Sequence, residues 1–462
     1  MTLIKSISGI RGTIGGEPGD ALTPIDIVKF AGAYSTWLKE RNSDVSGKLK
    51  VVIGRDARPS GDMVNKIICG TLIGSGIDVV DLGLATTPTV EMAVPALNAH
   101  GGIILTASHN PKQWNALKLL NEKGEFLSGE DGETLLKKAE NLEFQFSEVD
   151  ELGTITYDDT QTDKHIEAVL NLPFVDIDSI YKANFKVVVD AVNSVGGIAI
   201  PRLLAALGVH IIELNCIPNG QFPHNPEPLP EHLTDIARMV PEKDADLGIV
   251  VDPDVDRLAL VCEDGSFFGE EYTLVAVADY ILSNTGAANT VSNLSSSRAL
   301  KDITEKHGGE YYSSAVGEVN VVTEMKRVNA VIGGEGNGGI IYPELHYGRD
   351  ALVGVALFLS LLAQSRLKTS QLRAQYPDYF VSKNKVTLTP QTDIDSILQK
   401  IKDKYSAYRI SIVDGVRVDF DAERKWVHLR KSNTEPIIRI YAEASTAQEA
   451  SDLAKQIMSD ME

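Results

Sequence analysis

The sequence predicts an α/β chain: three related α/β domains with mixed, largely parallel sheets, followed by a small C-terminal α+β domain. Three observations carry this expectation. The chain has 462 residues, more than one compact core holds, so three or four domains are expected. A pattern of helix, Gly, apolar strand and loop occurs three times before the closing stretch. The last ninety or so residues then abandon that pattern.

The three copies are residues 72–88 (LIGSGIDVVDLGLATTP), 204–220 (LAALGVHIIELNCIPNG) and 303–319 (ITEKHGGEYYSSAVGEV), the last with the least apolar strand. Each is accompanied by a β-branched run ending in a Gly- or Asp-rich loop: KVVIGRDAR from Lys50, KVVVDAVNS from Lys186 and NAVIGGEGN from Asn329. Strands alternating with helices imply βαβ units, and their apolar runs suit buried, largely parallel sheets. Functional loops in such sheets lie at the C-terminal ends of strands. The tail reads as a strand (385–388), a helix (394–405), strand-like runs (416–420 and 437–442) and a closing helix (446–458). Domains are expected at residues 1–153, 154–256, 257–373 and 374–462, with a linker near 371–378.

Hydrophobic residues at 43% and charged residues at 23% give a globular mix. A formal net charge of -20, with no Lys/Arg run to oppose it, repels nucleic acid and anionic membranes, so neither partner is expected. Cys69, Cys216 and Cys262 are odd in number, far apart and form no CxxC pair. A disulfide framework or structural zinc site is therefore not expected, and a reducing compartment is. The opening MTLIKSISGIRG has no apolar h-region, so no signal peptide is expected. The most apolar stretch, residues 351–363, falls short of the roughly 20 residues that span a bilayer. It reads as a buried helix of a cytoplasmic protein.

Four segments carry chemistry. TASHNP (106–111) follows the apolar run GGIIL, and Pro111 turns the chain from helix after His109. A loop serine carries a covalent phosphoryl group if it is activated and the charge is neutralised. A turn in which Ser and Asn bond their own backbone fits these six residues equally well. DPDVDR (252–257) follows the strand DLGIVV and spaces three carboxylates at i, i+2 and i+4. Few oxygen ligands, with room for a phosphoryl oxygen, suit magnesium. An EF-hand is rejected although Glu263 falls at its twelfth position, because Arg257 stands where Gly is needed and LALVC continues as a strand. A solvated acidic turn is the bland competitor.

GEGNGG (334–339) spells GxGxxG, but Pro343 follows where a dinucleotide fold needs a helix. A Gly-rich loop with Glu335 and Asn337 better suits backbone approach to a polyhydroxyl ligand; a plain tight turn is the alternative. RKSNTEP (430–436) with Arg439 joins cations to hydroxyl and amide donors in one turn, the composition of an anion pocket; a solvated basic loop is the alternative. No Walker loop occurs, so nucleotide-dependent kinase chemistry has no support.

Together, in this order, the four segments resemble the α-D-phosphohexomutase superfamily over the whole chain. TASHNP is similar to its phosphoserine loop, DPDVDR to its metal loop, GEGNGG to its sugar loop and RKSNTEP to its phosphate loop. Gly9-Ile10-Arg11-Gly12, the GRDARPS segment (54–60) and the run Asn110-Pro111…Asn115…Lys118 add further matches. The resemblance implies the four-domain, heart-shaped architecture of that superfamily, with one loop per domain meeting in a cleft. It implies that Ser108 is phosphorylated, that Asp252, Asp254 and Asp256 bind Mg2+ together with the Ser108 phosphoryl group, and that Arg11, His109, Lys118 and Arg257 line the transfer site. Gly334, Glu335 and Asn337 would contact the sugar; Arg430, Ser432, Asn433, Thr434 and Arg439 would hold the phosphate that is not reacting.

The expected reaction interconverts hexose 6-phosphate and hexose 1-phosphate, with a hexose 1,6-bisphosphate as intermediate and activator. One departure stands out. Many bacterial members end the sugar loop in Ser-Gly-His, whereas this chain has Asn337-Gly338-Gly339. His346 is a candidate to replace that His. Asn-Gly-Gly loops resemble the archaeal-type branch of phosphoglucosamine mutases and broad phosphohexomutases, which favours glucosamine phosphate over mannose or glucose phosphates. A metal-dependent sugar-phosphate phosphatase and a non-catalytic sugar-phosphate sensor are the readings from other classes. Small sugar phosphates are the expected partners of a monomer or homodimer.

Overall fold

The apolar runs become strands, as their patterning predicts. The computed structural model describes residues 2–6, 9–388, 393–432 and 437–461. The chain divides into two units, Met1–Thr273 with Asn337–Gln371, and Leu274–Gly336 with Leu372–Glu462.

The first unit opens with seven strands: β1 (Ile4–Ser6), β2 (Gly9–Thr13), β3 (Lys50–Arg55), β4 (Asp78–Leu84), β5 (Gly101–Leu105), β6 (Trp114–Leu120) and β7 (Ile155–Tyr157). They form one sheet in the order β1-β2-β6-β5-β3-β4-β7. The stretch β5-β3-β4-β7 is parallel, and β1-β2-β6-β5 is antiparallel. The antiparallel half follows from chain length: residues 106–113 join β5 to β6, too few for a crossover helix. Val51, Ile53, Ile103 and Leu105 pack under Phe30, Tyr34 and Leu38 of the helix Pro24–Arg41. A Thr23–Asp26 capping box and Pro24 in the first turn start that helix.

The second sheet holds β8 (Lys186–Asp190), β9 (His210–Leu214), β10 (Leu247–Val251) and β11 (Leu258–Cys262), in the order β11-β10-β8-β9. It repeats the first sheet's device. β10 lies parallel to β8, and after residues 252–257 the chain returns antiparallel as β11.

In the second unit, β12 (Thr290–Asn293), β13 (Tyr311–Ser314) and β14 (Ile332–Glu335) are parallel, with β12 between the other two. The chain then re-enters the first unit with β15 (Gly339–Ile341) and the helix Ala351–Ser365, which is buried over nearly its whole length. Among the described residues, no helix is long and apolar enough to cross a membrane.

The last strands, β16 (Phe380–Thr387), β17 (Arg409–Ser411), β18 (Val416–Phe420), β19 (Lys425–Lys431) and β20 (Ile437–Ala444), form an antiparallel sheet ordered β16-β20-β19-β18-β17. Ile401 of the helix Ile394–Lys404 and Ala454 and Ile457 of the helix Ala447–Met461 cover Val418, Leu429, Ile438 and Ile440. This is the α+β arrangement expected of the tail. The sequence patterning does not mark β1, β2, β6, β7, β12, β15, β17 or β19 as strands, and part of the expected linker is helical (Thr369–Arg373).

Candidate active site

The run GGIIL is β5, buried at every position. Immediately beyond it Ser108 takes φ +48°, a left-handed backbone that L side chains adopt only when their surroundings impose it. The surroundings here are polar and buried. Thr106 Oγ1 accepts from Ser108 N at 3.0 Å and donates to Asp56 Oδ2 at 2.7 Å. Arg58, 1% exposed, donates Nε to the same Asp56 oxygen at 2.8 Å. Its remaining nitrogens donate to the carbonyls of Ser108, Asn110 (2.7 Å), Pro111 (2.7 Å) and Trp114 (3.2 Å). The GRDARPS segment is therefore the clamp of the serine loop.

DPDVDR forms the turn between β10 and β11, with the β-branched Val255 at φ +65°. Asp252, Asp254 and Asp256 are fully buried, and each offers an oxygen within 4.8 Å of the others. Asp252 Oδ1 accepts from the backbone N of Asp256 and Arg257, both at 3.2 Å. Its Oδ2 accepts from Ser108 Oγ at 2.8 Å. Asp254 Oδ2 accepts from Lys118 Nζ at 2.6 Å and from Thr87 Oγ1 at 2.7 Å. Asp256 Oδ2 accepts from Arg349 at 2.8 Å and pairs with Lys118 at 3.5 Å. The two remaining oxygens, Oδ1 of Asp254 and Oδ1 of Asp256, are buried and have no hydrogen-bond partner among the described residues. Buried carboxylate oxygens left over in this way fit a hard divalent cation.

The charges agree with that fit. Burial, then Asp254 and Asp256, push the Asp252 carboxyl well above its usual range. Burial works most strongly against ionised Asp254, but Lys118, together with Thr87 and Asp252, outweighs it and holds this carboxyl down. Lys118 is depressed by burial and raised more strongly by Asp254 and Asp256, so it stays charged. His109, whose Nδ1 is 3.4 Å from Ser108 Oγ, is driven to the neutral form by burial and then by Arg257 and Arg11. Arg11 reaches the same field from β2, paired opposite Ala116 of β6. Arg257 Nε lies 3.9 Å from Asp256 Oδ1. The antiparallel strands β2 and β6 are thus what add Arg11 and Lys118 to the serine and acidic loops.

The remaining expected site residues are distributed differently from the sequence reading. Gly334 and Glu335 end β14 rather than lying in a loop, and Glu335 Oε1 accepts from Asn293 (2.8 Å) and Gly317 N (3.1 Å). Asn337 Oδ1 accepts from Gly339 N at 3.2 Å. Arg430 and Arg439 do not share one turn. They stand opposite each other on β19 and β20, with Arg430 paired to Asp414 at 3.0 Å. Ser432, buried, donates its backbone N to Ile437 O. Asn433 and Thr434 lie outside the described residues.

The sequence reading missed Thr87, Arg349 and the clamping role of Arg58. No spacing separates Thr87 from the capping of the helix Thr87–Ala96 that it opens, nor Arg349 from the start of the apolar helix Ala351–Ser365.

The chain belongs to the phosphoglucomutase/phosphomannomutase family: residues 3–146, 163–265 and 269–379 match its α/β/α domains I, II and III, and residues 385–459 its C-terminal domain. It is similar to a phosphoglucomutase/phosphomannomutase of Thermococcus kodakarensis, 34% identical over 96% of this chain and 94% of the relative. It is also similar to a phosphoglucosamine/phosphogalactosamine mutase of Sulfurisphaera tokodaii, 33% identical over 99% and 98%. Among solved structures, a phosphoglucomutase/phosphomannomutase family protein of Burkholderia thailandensis superposes with a TM-score of 0.85 at 25% identity, covering 100% of this chain and 98% of that one.

Proposed function

We propose that the enzyme interconverts hexose 6-phosphate and hexose 1-phosphate, with Ser108 carrying the travelling phosphoryl group, and that glucosamine phosphate is its substrate. The observation that carries the proposal is the hydrogen bond from Ser108 Oγ to Asp252, beside two buried carboxylate oxygens without partners. Phosphorylated Ser108 gives its phosphoryl group to the free hydroxyl of a monophosphorylated hexose. The P–Oγ bond breaks, a P–O bond to the sugar forms, and the hydroxyl proton ends on Oγ. The bisphosphate then presents its other phosphoryl group to Ser108, and the steps run in reverse.

Lys118, helped by Arg11, is the candidate for moving that proton: already charged, it gives one of its own protons to Oγ as it takes up the hydroxyl's, and Asp252 accepts from Oγ between transfers. Asp252, Asp254, Asp256 and a Ser108 phosphoryl oxygen would hold Mg2+. When bound, that ion offsets charge on the transferring group, the main electrostatic requirement of phosphoryl transfer. Arg430 and Arg439 are assigned the phosphate not in transfer. Like charges directly opposite on a sheet are destabilising, so a bound anion between them relieves a repulsion between the two guanidinium groups. Glu335 and Asn337 are assigned the sugar hydroxyls.

Several archaeal relatives are named phosphoglucosamine mutase, which favours the glucosamine reading. The Thermococcus relative named phosphoglucomutase/phosphomannomutase supports the alternative of glucose or mannose phosphates. Comparing kcat/KM on glucosamine, glucose and mannose 1-phosphates decides between them. The proposal expects the isomeric 6-phosphate, fastest with glucosamine. Free phosphate as the product would make the protein a phosphatase, and no turnover of any sugar would make it a sensor.

A further inference from the structure

Arg349 belongs to none of the four motifs, yet its guanidinium lies against the acidic loop. It donates to Asp256 Oδ2 at 2.8 Å and is 9% exposed. The backbone around it is fixed. Asp350 N donates to Ile340 O at 2.8 Å and Ala351 N to Val255 O at 3.2 Å. The Asp350 carboxylate accepts from Leu352 N, capping the helix Ala351–Ser365, and contacts His165 at 2.9 Å.

The aliphatic part of Arg349 crosses directly over Gly339, where an added Cβ would come within 2.3 Å of its Cδ. Neighbouring Gly338 is equally constrained: its φ is +81° and a Cβ there would meet Leu258 O at 2.2 Å. A side chain at 339 and the present course of Arg349 therefore exclude each other. His346 lies between Glu91 (3.4 Å) and Asp350 (3.3 Å).

We propose that Arg349 is a positioning residue for Asp256, and that glycine at 339 exists to let it pass. The inference rests on the reading that the acidic loop holds a divalent cation. By occupying Oδ2, Arg349 fixes the carboxylate rotamer and leaves Oδ1 as the oxygen that faces a metal. Lys118 and Thr87 do the same for Asp254. Residues that orient metal ligands in this way typically contribute about 10- to 100-fold in affinity. Charge alone predicts the opposite sign: a guanidinium beside the site repels a dication, so its removal would tighten binding.

The test titrates the full chain with Mn2+, reading free Mn2+ by electron paramagnetic resonance. R349A removes both charge and hydrogen bond; R349Q keeps a donor without charge; G339A displaces Arg349 while keeping its charge. R349A and G339A should each weaken Mn2+ binding by about 10- to 100-fold, and R349Q by clearly less. The G339A/R349A double variant should be no weaker than R349A, because both changes act through one contact. Unchanged binding in R349A, or tighter binding in both R349A and R349Q, would overturn the inference while leaving the metal site standing. A wild-type protein that binds no Mn2+ would overturn the metal reading itself, and the inference with it.

Discussion

At Ser108 the backbone is held at φ +48° by hydrogen bonds that come mainly from Arg58. The Ser108 hydroxyl, proposed above to carry the phosphoryl group, therefore depends on a buried ion pair fifty residues away in sequence. Removing one partner of such a pair costs about 3–5 kcal/mol, because the other charge is left buried alone. Arg58→Met should destabilise the first unit by that amount and slow phosphorylation of Ser108. Adding Asp56→Asn should restore most of the stability and little of the rate, since the four loop carbonyls still lack their donor. Unfolding curves and single-turnover kinetics of the single and double variants measure both; full recovery of the rate would remove Arg58 from the positioning of Ser108. Asp56 and Arg58 could be read as part of a motif, but their purpose could not. The sequence shows that Arg58 is present, not that it ends among the carbonyls of residues 108–114.

The elements follow the same division. Strands β5 and β10 were legible because GGIIL and LGIVV are continuous apolar runs before turn residues. Strand β6 was not, because WNALKLL suits a helix and a strand alike, and only pairing with β5 and β2 decides it. Lys431-Ser432-Asn433-Thr434 looks like punctuation, which alone would put the arginines of the C-terminal hairpin in one turn. Sheet register instead sets Arg430 against Arg439.

The same hairpin carries a pH dependence. His428 on β19 donates Nε2 to Asp414 O, and its Nδ1 is 2.9 Å from Ser295 Oγ. Burial, with help from Arg417 and Arg430, lowers its pKa to about 4, against 6.5 as its ordinary value. The unfolded chain then binds the proton first as pH falls, so stability is full above about 6.5 and is lost toward 4. Between pH 7.5 and 5 the loss from this residue is about 2 kcal/mol. Calorimetric melting at the two pH values should show a smaller drop for His428→Gln than for wild type. An equal drop would mean His428 is already protonated in the folded protein.

Across the whole molecule, the four-part order of motifs was legible because each follows, or belongs to, a β-strand, and that order identifies the family. What the sequence left open lies between distant segments: Thr87 on Asp254, Arg349 on Asp256, Arg58 on the serine loop. None has a spacing signature, since each contact joins residues about 50 to 170 positions apart. Ser108 is proposed to pass a phosphoryl group between sugars and not to water. The most direct measurement charges the dephosphorylated protein with glucose 1,6-bisphosphate, maps the added mass by peptide mass spectrometry, then adds excess glucosamine 6-phosphate. One phosphate should appear on the peptide containing Ser108, be absent in Ser108→Ala, and leave as sugar bisphosphate when the second sugar arrives. A phosphate mapped to His109, or one released only as inorganic phosphate, would contradict the account.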